Sequence, residues 1–114
     1  MNFNSDFKYD LKLGQLGEKH LSRILKNKKI EVKTDFQAEK TGNIFVEYSS
    51  RNKPSGISTS QSDWYAFIIS NEKIKLIATK KLKEICRKYL NTKRDIKGGD
   101  NNTSSGVLVP LEKI

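Results

Sequence analysis

Three acidic residues sit where oxygen chemistry can be done: Glu18 on a predicted helix, Asp35 directly after a predicted strand, and Glu47 within the next strand. Glu47 interrupts Asn43-Ile44-Phe45-Val46-Glu47-Tyr48, a run otherwise apolar enough to belong to a core. A carboxylate in such a strand gives up hydration and needs a partner in return. One acid at a strand end and another inside the adjacent strand of a hairpin can converge on a single divalent cation. Mg²⁺ takes oxygen ligands and keeps several waters, so two carboxylates with a backbone carbonyl suffice to hold it. Beside a phosphodiester such an ion makes water nucleophilic near neutral pH and neutralises charge on the scissile phosphate. Arg51 and Lys53 follow the Glu47 strand in a basic loop, placed to bind a substrate backbone. Gln61 is a further candidate nucleic-acid contact, with helix capping as its plainer role.

The chain as a whole favours a polyanionic partner. Its 22 Lys+Arg against 13 Asp+Glu give a net charge of +9 and a pI near 9.7, which puts nucleic acid ahead of an anionic membrane. At 114 residues it can bury one core but not two. Mean hydropathy is low at −0.67, yet Trp64, four Tyr and five Phe argue against wholesale disorder. The single Cys86 excludes an intrachain disulfide or a thiolate zinc site, and the lone His20 argues against a His-based metal centre or a Ser-His relay. No apolar run approaches the roughly 18 residues of a membrane span, and the N-terminal residues do not read as a signal-peptide core. An intracellular, cytoplasmic location with no membrane partner is the expectation.

The elements that must position the acids follow from periodicity. Residues 1–10 read as an irregular lead-in. From Leu11 to Asn27, Leu13, Leu16, Leu21, Ile24 and Leu25 recur at helical spacing, although Gly14 and Gly17 each weaken a helix by about 1 kcal/mol relative to Ala. Ile30 to Thr34 reads as a short strand, Asp35 to Gly42 as a polar hairpin connection, and Asn43 to Ser49 as its partner strand. A short helix is expected from Ser58 to Asp63. The strand Tyr65 to Ile69 then pairs with Lys73 to Ala78 across an Asn71-Glu72 turn. Thr79 reads as the N-cap of a helix from Lys80 to Leu90, with Leu82, Ile85, Cys86, Tyr89 and Leu90 as its apolar stripe. Residues 95–105, with Gly98-Gly99-Asp100, read as a flexible loop, and Val107 to Val109 as a closing strand stopped by Pro110. The expected fold is a small single-domain α/β protein over 1–114, one mixed sheet flanked by helices in the order α-β-β-β-α-β.

Gly17-Glu18 on the first helix, Asp35 after the first strand and Glu47 in the second resemble the PD-(D/E)XK nuclease superfamily, and within it the small Holliday-junction resolvases and phage-type endonucleases. The likeness runs from about Leu13 to Ile69, and element order extends it to the whole chain. It implies a restriction-endonuclease-like fold and Mg²⁺-dependent hydrolysis of DNA, selective for branched or distorted structures, with Mn²⁺ substituting. By the same resemblance Asp35 and Glu47 bind the metal, the peptide carbonyl of Tyr48 is a further ligand, Glu18 assists, and the enzyme works as a homodimer. Trp64, Tyr65 and the apolar side of the Lys80 to Leu90 helix are the candidates for dimer burial. The family's lysine, two residues after the strand acid, is replaced here by Ser49. Either Lys53 or Lys33 takes its role, or Ser49 positions water, or the chain binds DNA without cutting it.

Other readings compete. Glu31-Val32-Lys33 is a literal E-x-K on a strand, whose partner acid would be Asp10 or Asp6, although an edge strand with solvated Glu31 and Lys33 is the plainer reading. Asp35 alone can be a turn-forming aspartate, Glu18 an exposed helical acid, and Glu47 the partner of a neighbouring basic side chain. The main rival function is a non-catalytic basic protein that coats or bends DNA or RNA, with binding that weakens steeply with salt. An inhibitor of another enzyme is the third class.

Overall fold

The computed structural model, which describes residues 8–12, 23 and 25–114, puts the most apolar stretch of the chain at the centre of a sheet. The elements in order are β1 (Lys8–Lys12), β2 (Ile30–Thr34), the one-turn helix α1 (Ala38–Thr41), β3 (Asn43–Ser50), β4 (Lys53–Pro54), β5 (Trp64–Ile68), β6 (Lys73–Ala78), α2 (Thr79–Tyr89), β7 (Asp95–Gly98) and β8 (Ser104–Pro110). Among the described residues they make two four-stranded sheets, β1-β6-β5-β2 and β4-β3-β8-β7, where a single mixed sheet was expected. The first is mixed, because β2 runs parallel to β5 while β6 runs antiparallel to it. The second is antiparallel throughout. The domain is therefore a small α/β unit with few helices.

β5 is nearly all buried because it lies between two strands and under apolar matter on both faces. Tyr65, Phe67 and Ile69 join the main core, which also takes Ile44 and Val46 from β3, Val107 and Val109 from β8, and Leu82, Ile85 and Cys86 from α2. Trp64 and Ala66 point the other way and pack with Leu76 and Leu25. Trp64, Tyr65 and, from the stripe of α2, Leu82, Ile85 and Cys86 are thus consumed inside the monomer, which corrects their assignment to a dimer face, while Tyr89 is half-buried and Leu90 is 39% exposed. Burial also pushes the Cys86 thiol up to about 12, as fits a packing residue.

Several expectations change. The predicted hairpin between Ile30–Thr34 and Asn43–Ser49 does not form: β2 pairs with β5, and β3 with β8 and β4. The polar connection instead winds into α1, which ends on Gly42 at φ 76 with its N–H bonded to the Ala38 carbonyl at 2.8 Å. That left-handed cap turns the chain away into the second sheet. The 95–105 segment is largely ordered as β7 and the start of β8. Gly98 is not there for flexibility: a Cβ on it would lie 3.0 Å from the Phe45 ring, and one on Gly106, next along β8, would lie 2.5 Å from it. The helix expected over Ser58–Asp63 is a 3-10 turn at Gly56–Ser58, and Thr79 is inside α2, with Ala78 at the cap. A strand at Lys8–Lys12 takes the last three residues of the expected lead-in and the first two of the expected helix, while residues 1–7 lie outside the described residues. Most of the predicted Leu11–Asn27 helix, Glu18 included, lies outside the described residues; Arg23 and Leu25 within it are helical. No helix among the described residues is long and apolar enough to cross a membrane.

Candidate functional site

Strand alternation decides what reaches the site from β2. Glu31 is registered with Tyr65 and Lys33 with Phe67, so both share the face of β5 that looks into the main core. Among the described residues β2 is an edge strand, and these two side chains therefore stand at the rim of the interior. Asp35 continues the alternation one step beyond the strand, its N–H still bonded to the Ile68 carbonyl at 2.9 Å. Its Oδ1 accepts the N–H of Gln37 at 3.1 Å, the local turn that an aspartate favours.

Glu47 reaches the same place from β3. The ladder to β8 slips between Glu47 and Ser49, a β-bulge of the kind that re-aims side chains. The Ser55 hydroxyl donates to Glu47 Oε2 at 2.9 Å. Gly56, at φ +53, lies so close that a Cβ there would be 2.3 Å from the Glu47 carbonyl oxygen. Among the described residues neither Asp35 nor Glu47 is ion-paired, so Glu47 is not balanced by a basic neighbour.

Lys33, Asp35 and Glu47 line one cleft of about 380 Å³, with Tyr65 and Phe67 as its apolar wall and Gly99 at its edge. A second cleft of about 430 Å³ continues from it, sharing Lys33, Glu47 and Gly56, and adds Lys29, Glu31 and Gln61. Tyr65 is 2% exposed and its hydroxyl is buried without a partner of hydrogen-bond geometry. Burial raises its pKa, and the nearby Ser60 hydroxyl only partly offsets that.

The remaining predicted residues fall elsewhere. Ser49 lies past the bulge, registered with Pro54 and Ser105, and lines neither cleft. Lys53 is exposed on β4 and lines neither cleft, whereas Lys33 lines both. Arg51 is at the tip of the β3–β4 hairpin, also outside the clefts. The Tyr48 carbonyl, expected as a metal ligand, accepts the Ser55 N–H at 3.0 Å and the Ser58 hydroxyl at 2.7 Å. Both of its lone pairs are engaged. Asp63 accepts the Lys29 N–H at 2.8 Å and so fixes the start of β2, the structural role. The Glu31 frame loses its partner, because β1 and β2 are opposite edges of the first sheet. Asp10 is registered with Lys75, then Phe67, then Lys33, a separation of about 14 Å at ordinary strand spacing. Asp6 lies outside the described residues.

Sequence reasoning missed Ser55 and Gly56, whose Pro-Ser-Gly context reads as a plain turn. Chemically, the cleft offers two carboxylates that each keep one oxygen without a hydrogen bond among the described residues, Oδ2 of Asp35 and Oε1 of Glu47. Such a pair is the donor set that suits a hard divalent cation retaining part of its water. No group of three or more His, Cys, Asp or Glu able to hold a metal occurs among the described residues. In comparisons with family models, curated proteins and solved structures, nothing matches this chain.

Proposed function

We propose that the protein is a Mg²⁺-dependent DNA endonuclease, selective for branched or distorted DNA, acting through the cleft between β2 and β3. One observation carries the reading: Lys33, Asp35 and Glu47, from two strands that are not paired with each other, line the same cleft on a chain of net charge +9. Asp35 and Glu47 would hold the ion, with Glu18 as a further candidate, and the bound metal would supply an activated water and charge neutralisation. Lys33 takes the position the family's lysine would fill, its ammonium facing charge that builds on the scissile phosphate. Gln61 and Lys29 in the adjoining cleft, with Arg51 and Lys53 on the basic flank, bind the backbone on either side. A second copy of the chain would cut the second strand.

The test uses the full chain on four-way-junction and linear duplex DNA, with Mg²⁺ or EDTA. Wild type is expected to cut with Mg²⁺ or Mn²⁺ and not in EDTA. Glu47→Gln and Lys33→Ala should each lose about 10²-fold or more in rate, while Lys53→Ala keeps most of it. Absence of metal-dependent cleavage on any DNA by wild type would defeat the enzymatic reading. Ser49 at the family's lysine position favours one rival, a DNA-binding protein that does not cut. That rival predicts no heat of Mn²⁺ binding dependent on Asp35 in calorimetry.

A further inference from the structure

Six non-glycine residues have positive φ among those described, and four of them meet at one end of the second sheet: Arg51, Asn52, Asn101 and Asn102. The other two close helical segments, Asn91 after the end of α2 and Asn27 just past helical Leu25, as left-handed caps do. The four form two adjacent tips. Arg51 and Asn52 are the two-residue loop of the hairpin that registers Ser50 with Lys53, and Asn101 and Asn102 lie in the β7–β8 connection. The Arg51 N–H donates to the Thr103 carbonyl at 2.8 Å and ties the tips together. A two-residue hairpin loop with both φ positive suits Asn or Gly, so Asn52 is an ordinary choice there and so are Asn101 and Asn102. Arg51 is not. A long branched cation stands at φ 51, where a smaller residue would fit without strain. Its guanidinium is exposed and makes no hydrogen bond or ion pair among the described residues.

Strain retained for an unpartnered side chain marks a side chain kept for what it touches outside the fold. We infer that these paired tips probe the groove of a DNA duplex, with Arg51 inserted between the phosphate walls and the asparagine amides against base edges. Guanidinium and carboxamide groups are the side chains that read base edges, and Arg is drawn to the strong negative potential of a narrow groove. The tips are also placed for it, since Gly99, next to the second tip, lines the cleft of Asp35 and Glu47. Duplex entering that cleft would pass the tips. The inference rests on the proposed DNA substrate but not on its cleavage.

Binding of the full chain to a labelled duplex, read by anisotropy in EDTA so that nothing is cut, separates the two. Arg51→Asn keeps a residue that tolerates the left-handed backbone, and should melt at or above the wild-type temperature. It should bind duplex about tenfold more weakly, with the salt slope lower by about one. Lys113→Asn, which removes one remote positive charge, should stay within about threefold of wild type. Equal losses in both variants, or unchanged binding by Arg51→Asn while wild type binds, would overturn the role of the tips. Failure of wild type to bind any DNA would overturn the DNA substrate itself.

Discussion

On the β3 side of the cleft Glu47 is held from several directions, whereas on the β2 side, among the described residues, Lys33 and Asp35 are held by little beyond their own backbone. Glu47 sits at a bulge, takes the Ser55 hydroxyl on one carboxylate oxygen, and has Gly56 pressed against its carbonyl. The next residue, Tyr48, is tied twice through its own carbonyl and again through its hydroxyl to Asp95 at 2.5 Å. Across the cleft, among the described residues, β2 is paired along one edge only, Lys33 is exposed, and Val32 beside it is 55% exposed. The contrast is one of preorganisation. An oxygen fixed before a ligand arrives costs nothing to orient, while a free lysine gives up about 2 kcal/mol of rotamer entropy to be held. Glu47 is built as the anchor and Lys33 as the adjustable partner.

The sharpest way to break this contrast is Gly56→Ala. The added Cβ would lie 2.3 Å from the Glu47 carbonyl, and the backbone there is left-handed at φ +53. Because the obstacle is backbone, the turn itself must move, and a loss of about 2–4 kcal/mol in denaturant unfolding is expected. Unchanged stability would mean the wall is looser than its geometry. Ser55→Ala is milder, removing one hydroxyl from a half-buried carboxylate for about 1 kcal/mol. It should also loosen Mn²⁺ binding measured by calorimetry, with Ser55→Thr restoring it; an Ala variant that binds Mn²⁺ as wild type does would show that Glu47 needs no such guide.

The same contrast explains what could be read from the chain. The β5–β6 hairpin was legible because both strands and their turn lie within 64–78, where alternation and the Asn71-Glu72 turn speak together. The β3–β8 pair was not, since Asn43 finds Pro110 across most of the chain and no local pattern specifies that register. Gly98 reads as a loop residue because the ring that requires it, Phe45, belongs to a distant strand. In the site, Asp35 and Glu47 stood out by residue type within their local runs. The hairpin thought to join them was wrong, and the meeting comes about through two separate sheets. Ser55 and Gly56 carried no signal, because Pro54-Ser55-Gly56 is an ordinary turn sequence, and what they meet, the Glu47 carboxylate and the Glu47 backbone, belongs to another strand.

The smallest expected effect concerns the far end of the anchored wall. The Tyr48 hydroxyl donates to Asp95, which also accepts the Asn91 N–H at 2.8 Å just after α2, so this carboxylate ties β3 to the end of the helix. The hydrogen bond to Asp95, with burial adding to it, raises the Tyr48 pKa above 10.0. A group whose pKa is raised on folding contributes stability that is present below its unfolded value and disappears as pH climbs through the folded one. Tyr48→Phe should therefore lower the melting temperature by a few degrees, the worth of about 1 kcal/mol for one partly exposed hydrogen bond. That gap should hold steady from about pH 6 to 9 and close above about pH 10, where wild type loses the same contact. A gap that widened with alkalinity would place the titrating group elsewhere. A gap of zero throughout would mean that the bulge is held by the Ser55–Ser58 turn alone, narrowing the anchor to the residues nearest Glu47.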